Sequence, residues 1–356
     1  MKLHPKFKLD NFSLDKNELL SLAQKWVKLG LAHEKEVGRF FLEWFSEGKR
    51  ICVQTSGSTG SPKKVALEKE FMINSALATG KYFQLQPGNS ALLCLSSQHI
   101  AGKMMLVRAM VLGLELDVVA PNAFPLQGKN TSFDFVAMVP LQVQNSIDQL
   151  EQINHLIIGG APVSKSLRSI LSNKLNRIYE TYGMTETITH IAVKRITNIS
   201  ESYQNYFEVL PGVQIQKDER DCLVIKAPHI SKETISTNDI VEIKDEHYFK
   251  WIGRFDTIIN SGGIKLVPEQ IEEKLSTHLN SRFFITGLPD EEFGEKVVLF
   301  IEGNGQQPEE IREQLLMIDS LHKYEVPKDI FYIKNFVETA SGKINRPQTK
   351  LQFLNP

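Results

Sequence analysis

Residues 54–65, QTSGSTGSPKKV, place the hydroxyls of Ser56, Ser58 and Thr59, the glycines Gly57 and Gly60, and the ammonium groups of Lys63 and Lys64 directly after a short β-type run at 50–53. That mixture suits phosphate. Glycines let backbone N–H groups converge on an anion, hydroxyls donate further hydrogen bonds, and a lysine neutralises charge that the backbone cannot. A polar hairpin turn is the other reading of the same residues. The spacing does not fit G-x-x-x-x-G-K-[ST], because Gly57 is followed by Gly60 and then by Ser61-Pro62-Lys63. A P-loop kinase or a simple nucleotide-binding module is therefore poorly supported.

Two later stretches add to this chemistry. Gly159-Gly160-Ala161-Pro162 follows the apolar run HLII, and Tyr182-Gly183-Met184-Thr185-Glu186 follows RIYE. Small residues let a flat ring approach the backbone, and Tyr182 could stack on that ring. Thr185 and Glu186 offer a hydroxyl and a carboxylate beside a bound phosphate, where the carboxylate suits Mg²⁺. Taken singly, the glycine pair also reads as a turn and the Thr-Glu pair as a helix cap. Arg108 is a different signal. Its helical neighbours at i−4, i−3, i+3 and i+4 are Met104, Met105, Val111 and Leu112, so a guanidinium lies on an apolar face. Burying that charge alone is costly, so a carboxylate is expected beside it, from the protein or from a ligand.

The elements that must position these residues follow from periodicity. Leu19, Leu22, Ala23, Trp26 and Val27 predict a helix within 13–30, and Val37, Phe40, Phe41 and Trp44 a second one. Helices are then expected over 68–83, 102–114, 141–150 and 164–172, alternating with strands over 91–97, 116–120, 133–139, 155–158 and 177–181. That alternation predicts an α/β fold: a large N-terminal domain, 1–255, with parallel βαβ sheets covered by helices. Ligands in such sheets sit where loops leave the C-terminal strand ends. Asp239, ahead of the strand-like run IVEI, reads as a loop aspartate or as a ligand-binding one. From 256 to 356 the order becomes strand, the turn Ser261-Gly262-Gly263, strand, a helix opened by Pro268, two further strands and a helix over 308–318, which predicts a small α+β C-terminal domain.

Composition narrows the partners. The 356 residues, 42% hydrophobic and 23% charged, are enough for two domains. With 41 Lys plus Arg against 42 Asp plus Glu, the net charge of -1 gives no electrostatic reason to expect nucleic acid or an anionic membrane. Cys52, Cys94 and Cys222 are odd in number and far apart, which suits reduced thiols in the cytoplasm rather than a disulfide framework or a zinc site. The N-terminal stretch lacks the apolar run of a signal peptide, and no segment is apolar for long enough to span a membrane.

Four stretches in one order, Thr55-Ser56-Gly57-Ser58-Thr59-Gly60-Ser61-Pro62-Lys63, Tyr182-Gly183-Met184-Thr185-Glu186, Gly253-Arg254-Phe255-Asp256 and Ser341-Gly342-Lys343, resemble the motifs of the adenylate-forming acyl-CoA synthetases. The chain departs from that pattern at Thr237-Asn238-Asp239, where Thr-Gly-Asp is usual, in a final motif without its proline, and in a much shorter region before the loop. The resemblance implies ATP, Mg²⁺ and CoA as reactants and cofactor. It implies that Thr55, Ser56, Gly57, Ser58, Thr59, Gly60 and Lys63 hold the β- and γ-phosphates, that Thr185 touches the α-phosphate and that Glu186 supports the metal. Gly160, Ala161 and Tyr182 would line the adenine, and Asp239 and Arg254 would bind the ribose. Lys343 would bridge the carboxylate and the α-phosphate during adenylation. Asp256 would be the hinge of a mobile C-terminal lobe, whose rotation presents Gly262 and Gly263 to the pantetheine arm.

His99-Ile100-Ala101-Gly102, with Arg108 six positions after the glycine, further resembles the o-succinylbenzoate:CoA ligase branch, which serves menaquinone biosynthesis. That likeness implies a small aromatic carboxylic acid as partner, with His99 near the carboxylate being activated and Gly102 and Arg108 in the acyl pocket. Arg108 would meet the carboxylate left over. Another aryl or acyl acid, or a carrier-protein thiol as acceptor, is the alternative.

Overall fold

The computed structural model describes residues 3–54, 64–197, 203–305, 308–339 and 344–354. Thr55, Ser56, Gly57, Ser58, Thr59, Gly60 and Lys63 of the phosphate-type loop, and Lys343 with its two preceding residues, lie outside the described residues.

The chain opens with β1 (Lys8–Leu9) and β2 (Phe12–Ser13), then α1 (Lys16–Leu29) and α2 (Ala32–Phe45). Helix α1 starts at Asp15 because its carboxylate accepts from Asn17 N at 2.7 Å and Glu18 N at 2.9 Å, while Glu18 Oε2 accepts from Asp15 N at 2.8 Å. Such a capping box occupies N–H groups that a helix start otherwise leaves open. Both helices bury the faces their periodicity marks: Leu19 and Ala23 from α1, and Val37, Phe40, Phe41 and Trp44 from α2. The last turn of α2 is closed by buried Lys69, whose Nζ donates to Glu43 O at 2.9 Å and Ser46 O at 3.0 Å.

A separate antiparallel ribbon, β3 (Arg50–Gln54) and β4 (Lys64–Glu68), carries the phosphate-type loop, with Gln54 opposite Lys64. Next come α3 (Lys69–Tyr82), β5 (Ser90–Leu93), α4 (Ile100–Leu112), β6 (Glu115–Val118), β7 (Phe133–Met138), α5 (Pro140–Gln144), β8 (Ile153–Ile158), α6 (Lys165–Ser172) and β9 (Arg177–Gly183). Strands β1, β6, β5, β7, β8 and β9 lie side by side and all pair in parallel, the arrangement that βαβ crossovers impose.

Beyond β9 the sheet changes character. Strands β10 (His190–Arg195), β11 (Phe207–Val209), β12 (Gln214–Lys217), β13 (Cys222–Lys226), β14 (Ile235–Asp245) and β15 (Tyr248–Arg254) continue the same 13-stranded sheet with antiparallel pairing, in the order β9-β10-β11-β15-β14-β13-β12. The α/β class expected from sequence is the one found, with this antiparallel half added to the parallel one. Asp239, read as a possible loop residue, lies inside β14 opposite Arg254.

The helix expected over 141–150 and the strand expected over 91–97 stop well short in the structure. The helix over 141–150 stops at Gln144, because Gln142 Nε2 donates to Cys94 O and Asn122 O at 2.9 Å each and Asn145 Nδ2 donates to Ala123 O at 3.2 Å; a 3₁₀ turn, Ile147–Gln152, follows. The strand over 91–97 stops at Leu93, because the chain bends there into α4 and Ser96 O accepts from His99 N at 3.3 Å.

The rest of the described chain forms a second sheet with two hydrophobic clusters of its own. It contains β16 (Ile259–Ser261), β17 (Ile264–Leu266), α7 (Pro268–Leu275), β18 (Phe283–Asp290), β19 (Gly294–Glu302), α8 (Pro308–Leu316), β20 (Asp329–Ile333) and α9 (Arg346–Leu354). Period-two alternation divides β18 and β19 between two cores: Ile285 and Leu299 face one with Ile271 and Leu275, while Phe284 and Phe300 stack on the other beside Phe336. Among the described residues no helix is long and apolar enough to cross a membrane.

Candidate active site

The segment after β9 is held in a conformation that ordinary residues avoid. Ile188, buried and β-branched, has φ +66, in the left-handed region where its Cβ meets the backbone. The turn compensates with hydrogen bonds. Ile188 N donates to Thr185 O at 2.9 Å, and the buried Thr187 hydroxyl accepts from Met184 N at 2.9 Å while lying 2.8 Å from Thr189 O. Gly183 is required where the chain doubles back, since a Cβ there would lie 2.4 Å from Thr189 O. The result presents Thr185, half-buried, and Glu186, exposed, at the C-terminal end of β9. Glu186 has no hydrogen-bond or ion-pair partner among the described residues, so it is a carboxylate free to meet a ligand or a cation.

Tyr182, one residue before Gly183, ties the two halves of the sheet together. Its hydroxyl donates to Asp239 Oδ2 at 2.6 Å. Four strand steps separate β9 from β14, so a flat sheet would hold them about 19 Å apart at the usual interstrand spacing. The antiparallel half must therefore curl over, and Tyr182 fills the space inside, with its ring 5.1 Å from Phe249 and 5.8 Å from Phe207. Burial and the neighbouring Asp239 carboxylate push the Tyr182 phenol well above its usual range, which keeps it a donor.

Asp239 collects further donors. Trp251 Nε1 lies 3.3 Å and Arg254 NH1 3.5 Å from its Oδ1. Arg254 is shared with the start of the C-terminal segment: its Nε and NH2 reach the two oxygens of Asp256 at 2.9 Å each. The Arg254 hydrogen bonds hold the Asp256 carboxyl below the usual carboxylate range. Trp251 belongs to no motif, and only its position three residues before Arg254 marks it in the sequence.

Arg108 is 2% exposed and faces no carboxylate among the described residues. NH2 donates to the Thr189 hydroxyl at 2.7 Å, NH1 lies 3.6 Å from Met105 Sδ, the guanidinium sits 5.9 Å from the Phe135 ring centre, and Nε has no partner. Burial pushes its pKa down to about 9. The intramolecular ion pair, one of the two expectations for this residue, is thus not formed within the described chain. Thr189 Oγ1 also lies 3.2 Å from His190 Nδ1, and burial, then Arg108, drive the His190 imidazole well below its ordinary pKa, so a neutral ring stands beside the cation. No motif in the sequence marks Thr189 and His190, which lie three and four positions after Glu186.

His99 immediately precedes α4 and is exposed, and Gly102 packs so closely on the bend before the helix that a Cβ would lie 2.2 Å from Ser96 O. Ser96 Oγ and Gln98 Nε2 both bind the Glu36 carboxylate, at 2.7 and 2.6 Å, which fixes this bend against α2. Gly160 and Ala161 leave β8 next to the β9 end: Gly159 N donates to Met138 O at 3.1 Å and Thr181 Oγ1 to Ile158 O at 3.0 Å. The C-terminal ends of β5, β7, β8 and β9 thus carry His99, Gly160, Ala161, Tyr182, Thr185 and Glu186 along one edge.

Gly262 and Gly263 form a two-residue hairpin loop between β16 and β17, with φ +59 and +82, the pair of positive values that a type I′ turn needs. No atom lies within 4 Å of a Cβ built on Gly263. The chain flanking Lys343 is anchored by a bridge between Glu338 and Ile344 and by Asn345 N donating to Val337 O at 2.7 Å.

Residues 51–219 match the family model of AMP-binding enzymes. A 2-succinylbenzoate–CoA ligase of Bacillus cytotoxicus is 26% identical over 335 residues, covering 84% of this chain and 69% of that ligase. A ligase of the same name from a Geobacillus strain is 26% identical over 337 residues, covering 83% and 67%. Among solved structures, an acyl-CoA synthetase (AMP-forming)/AMP-acid ligase II-like protein from Dyadobacter fermentans is 37% identical, with TM-score 0.61, over 93% of this chain and 97% of that one. The o-succinylbenzoate CoA synthetase of Bacillus subtilis, solved with its acyl-adenylate intermediate, gives TM-score 0.76 at 19% identity over 84% and 68%, a likeness of fold.

Proposed function

The chain belongs to the AMP-binding family of AMP-forming acyl-CoA synthetases, and from that membership we propose that it ligates o-succinylbenzoate to coenzyme A. The observation that carries the choice of acid is Arg108, a buried cation with no carboxylate from the described residues, held by Thr189 and bordered by neutral His190. o-Succinylbenzoate has two carboxylates. One is activated, and the other supplies the counter-charge that Arg108 lacks. The relatives named for this acid support the same reading.

In the first step a carboxylate oxygen of the acid attacks the α-phosphorus of ATP, the bond to the β-phosphate oxygen breaks, and pyrophosphate leaves. In the second, the CoA sulfur attacks the acyl carbon, the thiol proton is lost, and AMP departs with the carbon–oxygen electron pair. Bringing two anions together needs donors and cations where charge accumulates. Thr55, Ser56, Gly57, Ser58, Thr59, Gly60 and Lys63 hold the β- and γ-phosphates in this reading, Thr185 donates to the α-phosphate, and Lys343 bridges the carboxylate and the α-phosphate. Gly160, Ala161 and Tyr182 receive the adenine, and Asp239 with Arg254 the ribose hydroxyls. Glu186 fits Mg²⁺, because the ion is usually held by one or two carboxylates plus substrate phosphates and this carboxylate has no other partner among the described residues. The ion's contribution is to neutralise charge on the phosphates.

The division into 1–255 and 256–356 belongs to the same proposal. Asp256, clamped by Arg254, is its hinge, and rotation there exchanges Lys343 for the Gly262-Gly263 turn, beside which the pantetheine arm passes. The reaction is placed in the cytoplasm, where Cys52, Cys94 and Cys222 stay reduced; all three are free thiols. Incubating the protein with o-succinylbenzoate, ATP, Mg²⁺ and CoA and analysing the products by mass spectrometry tests the proposal. The acyl-CoA thioester and AMP in equal amounts are expected, and AMP without thioester would rule out CoA as the acceptor.

A further inference from the structure

A cavity of about 330 Å³ opens at the other end of the parallel strands, lined by Tyr82, Gln84, His155, Arg177, Tyr179 and Arg195. The sheet register builds it. His155 and Arg177 are cross-strand partners at the N-terminal ends of β8 and β9, and Arg195 is paired with Tyr179 across β9 and β10. Residues i and i+2 of a strand share a face, so Arg177 and Tyr179 point the same way and their partners join them. Gly159 and Gly183, which mark the active-site edge, lie at the opposite ends of β8 and β9.

We propose that this cavity binds a small anion, whose phosphate or carboxylate oxygens are held by Arg177 and Arg195. Neither guanidinium forms an ion pair among the described residues. Arg177 NH1 lies 3.1 Å from His155 Nε2, and Arg195 Nε is buried without a partner. Burial, then Arg177, keep the His155 imidazole below its ordinary pKa, so His155 is neutral, accepts from Arg177 and fixes that side chain. Two carboxylates stand at the rim, and neither forms an ion pair with Arg177 or Arg195 among the described residues. Glu208 accepts from the Tyr82 hydroxyl at 3.1 Å, and Asp134, in an adjoining cavity of about 220 Å³, accepts from Asn89 Nδ2, Ser90 N and Ser90 Oγ. Three carbonyls near the end of α3 also have donors: Thr79, Lys81 and Gly80 accept from Phe83, Gln84 and Leu85 N–H. Two planar guanidinium forks therefore face the cavity without acidic partners, and that geometry matches carboxylate and phosphate oxygens.

Phe83 lines the cavity and separates it from the buried Arg108–His190 cluster, its ring centre 5.9 Å from that of His155 and 6.1 Å from that of His190. Anion binding here is independent of which acid the active site takes.

The test uses the full chain and two probes, inorganic phosphate and phthalate, which represent the two sources of such oxygens. Phenylglyoxal modification is followed at each arginine by peptide mapping. At a saturating probe, modification of Arg177 and Arg195 is expected to slow about tenfold, with exposed Arg39 unaffected. The probe that protects at the lower concentration identifies the oxygen class. The same probe is expected to raise the melting temperature of the wild type, and to raise it less in the double variant Arg177→Gln/Arg195→Gln. Should that variant fail to fold, protection in the wild type decides alone. Equal modification with and without both probes, or equal stabilisation of wild type and variant, would overturn the proposal.

Discussion

Arg108 NH2 and Thr189 Oγ1 meet at 2.7 Å across 81 positions of sequence, and the same hydroxyl lies 3.2 Å from His190 Nδ1. A helix and the turn after β9 thereby converge on one buried guanidinium that no carboxylate of the described residues neutralises.

Replacing Arg108 by methionine separates a ligand role from a structural one. Removing a charged hydrogen-bond donor to substrate costs about 1.5–3 kcal/mol, so KM for o-succinylbenzoate should rise about 10- to 100-fold. The melting temperature should hold or rise, since an apolar chain replaces an unpaired buried charge. Steady-state kinetics and a thermal melt check both; lost stability with unchanged KM would make Arg108 a core residue only.

Asp239 accepts from Tyr182 and lies within reach of Trp251 and Arg254. Asp239→Ala leaves buried donors unsatisfied, at about 1–3 kcal/mol, and should weaken ATP binding about tenfold or more. Calorimetric titration with ATP reads this directly, and unchanged affinity would remove Asp239 from the nucleotide site.

Glu272 gives a pH dependence whose sign is fixed. Its carboxylate accepts from Ile285 N at 2.8 Å and pairs with Arg346 NH2 at 2.8 Å, yet burial dominates and raises its pKa to about 7. A carboxyl whose folded pKa exceeds the unfolded one adds stability that is fully present below the unfolded pKa and lost as pH rises through the folded one. Melting temperature should therefore fall between about pH 5 and pH 8, and Glu272→Gln should flatten that fall.

Gly263 has φ +82 and open space around it. An alanine in that left-handed conformation costs about 1–2 kcal/mol, which the lobe should survive. If the pantetheine passes here, Gly263→Ala leaves pyrophosphate exchange intact and slows thioester formation. Equal effects on both half-reactions would argue against the assignment.

Much of this arrangement is visible in the sequence, because its signals are local. Leu19, Ala23, Phe41 and Trp44 repeat at helical spacing and are all buried. Arg108 stands out against Met104, Met105, Val111 and Leu112, and the structure buries it. What sequence cannot supply is contact between distant strands. Asp239 joins Tyr182 only because the antiparallel half curls, and the two-residue strand β1 is recognisable only through its pairing with β6. Thr189 and His190 carry no motif, and their relevance comes from the bend that Gly183 and Ile188 impose.

ATP/pyrophosphate exchange with o-succinylbenzoate, beside a panel of aryl and fatty acids, tests the ligase activity and its substrate together. Exchange is expected to depend on o-succinylbenzoate, to exceed that with each monocarboxylate of the panel, and to disappear in Lys343→Ala. No exchange with o-succinylbenzoate, or full exchange in Lys343→Ala, would contradict the proposed activity.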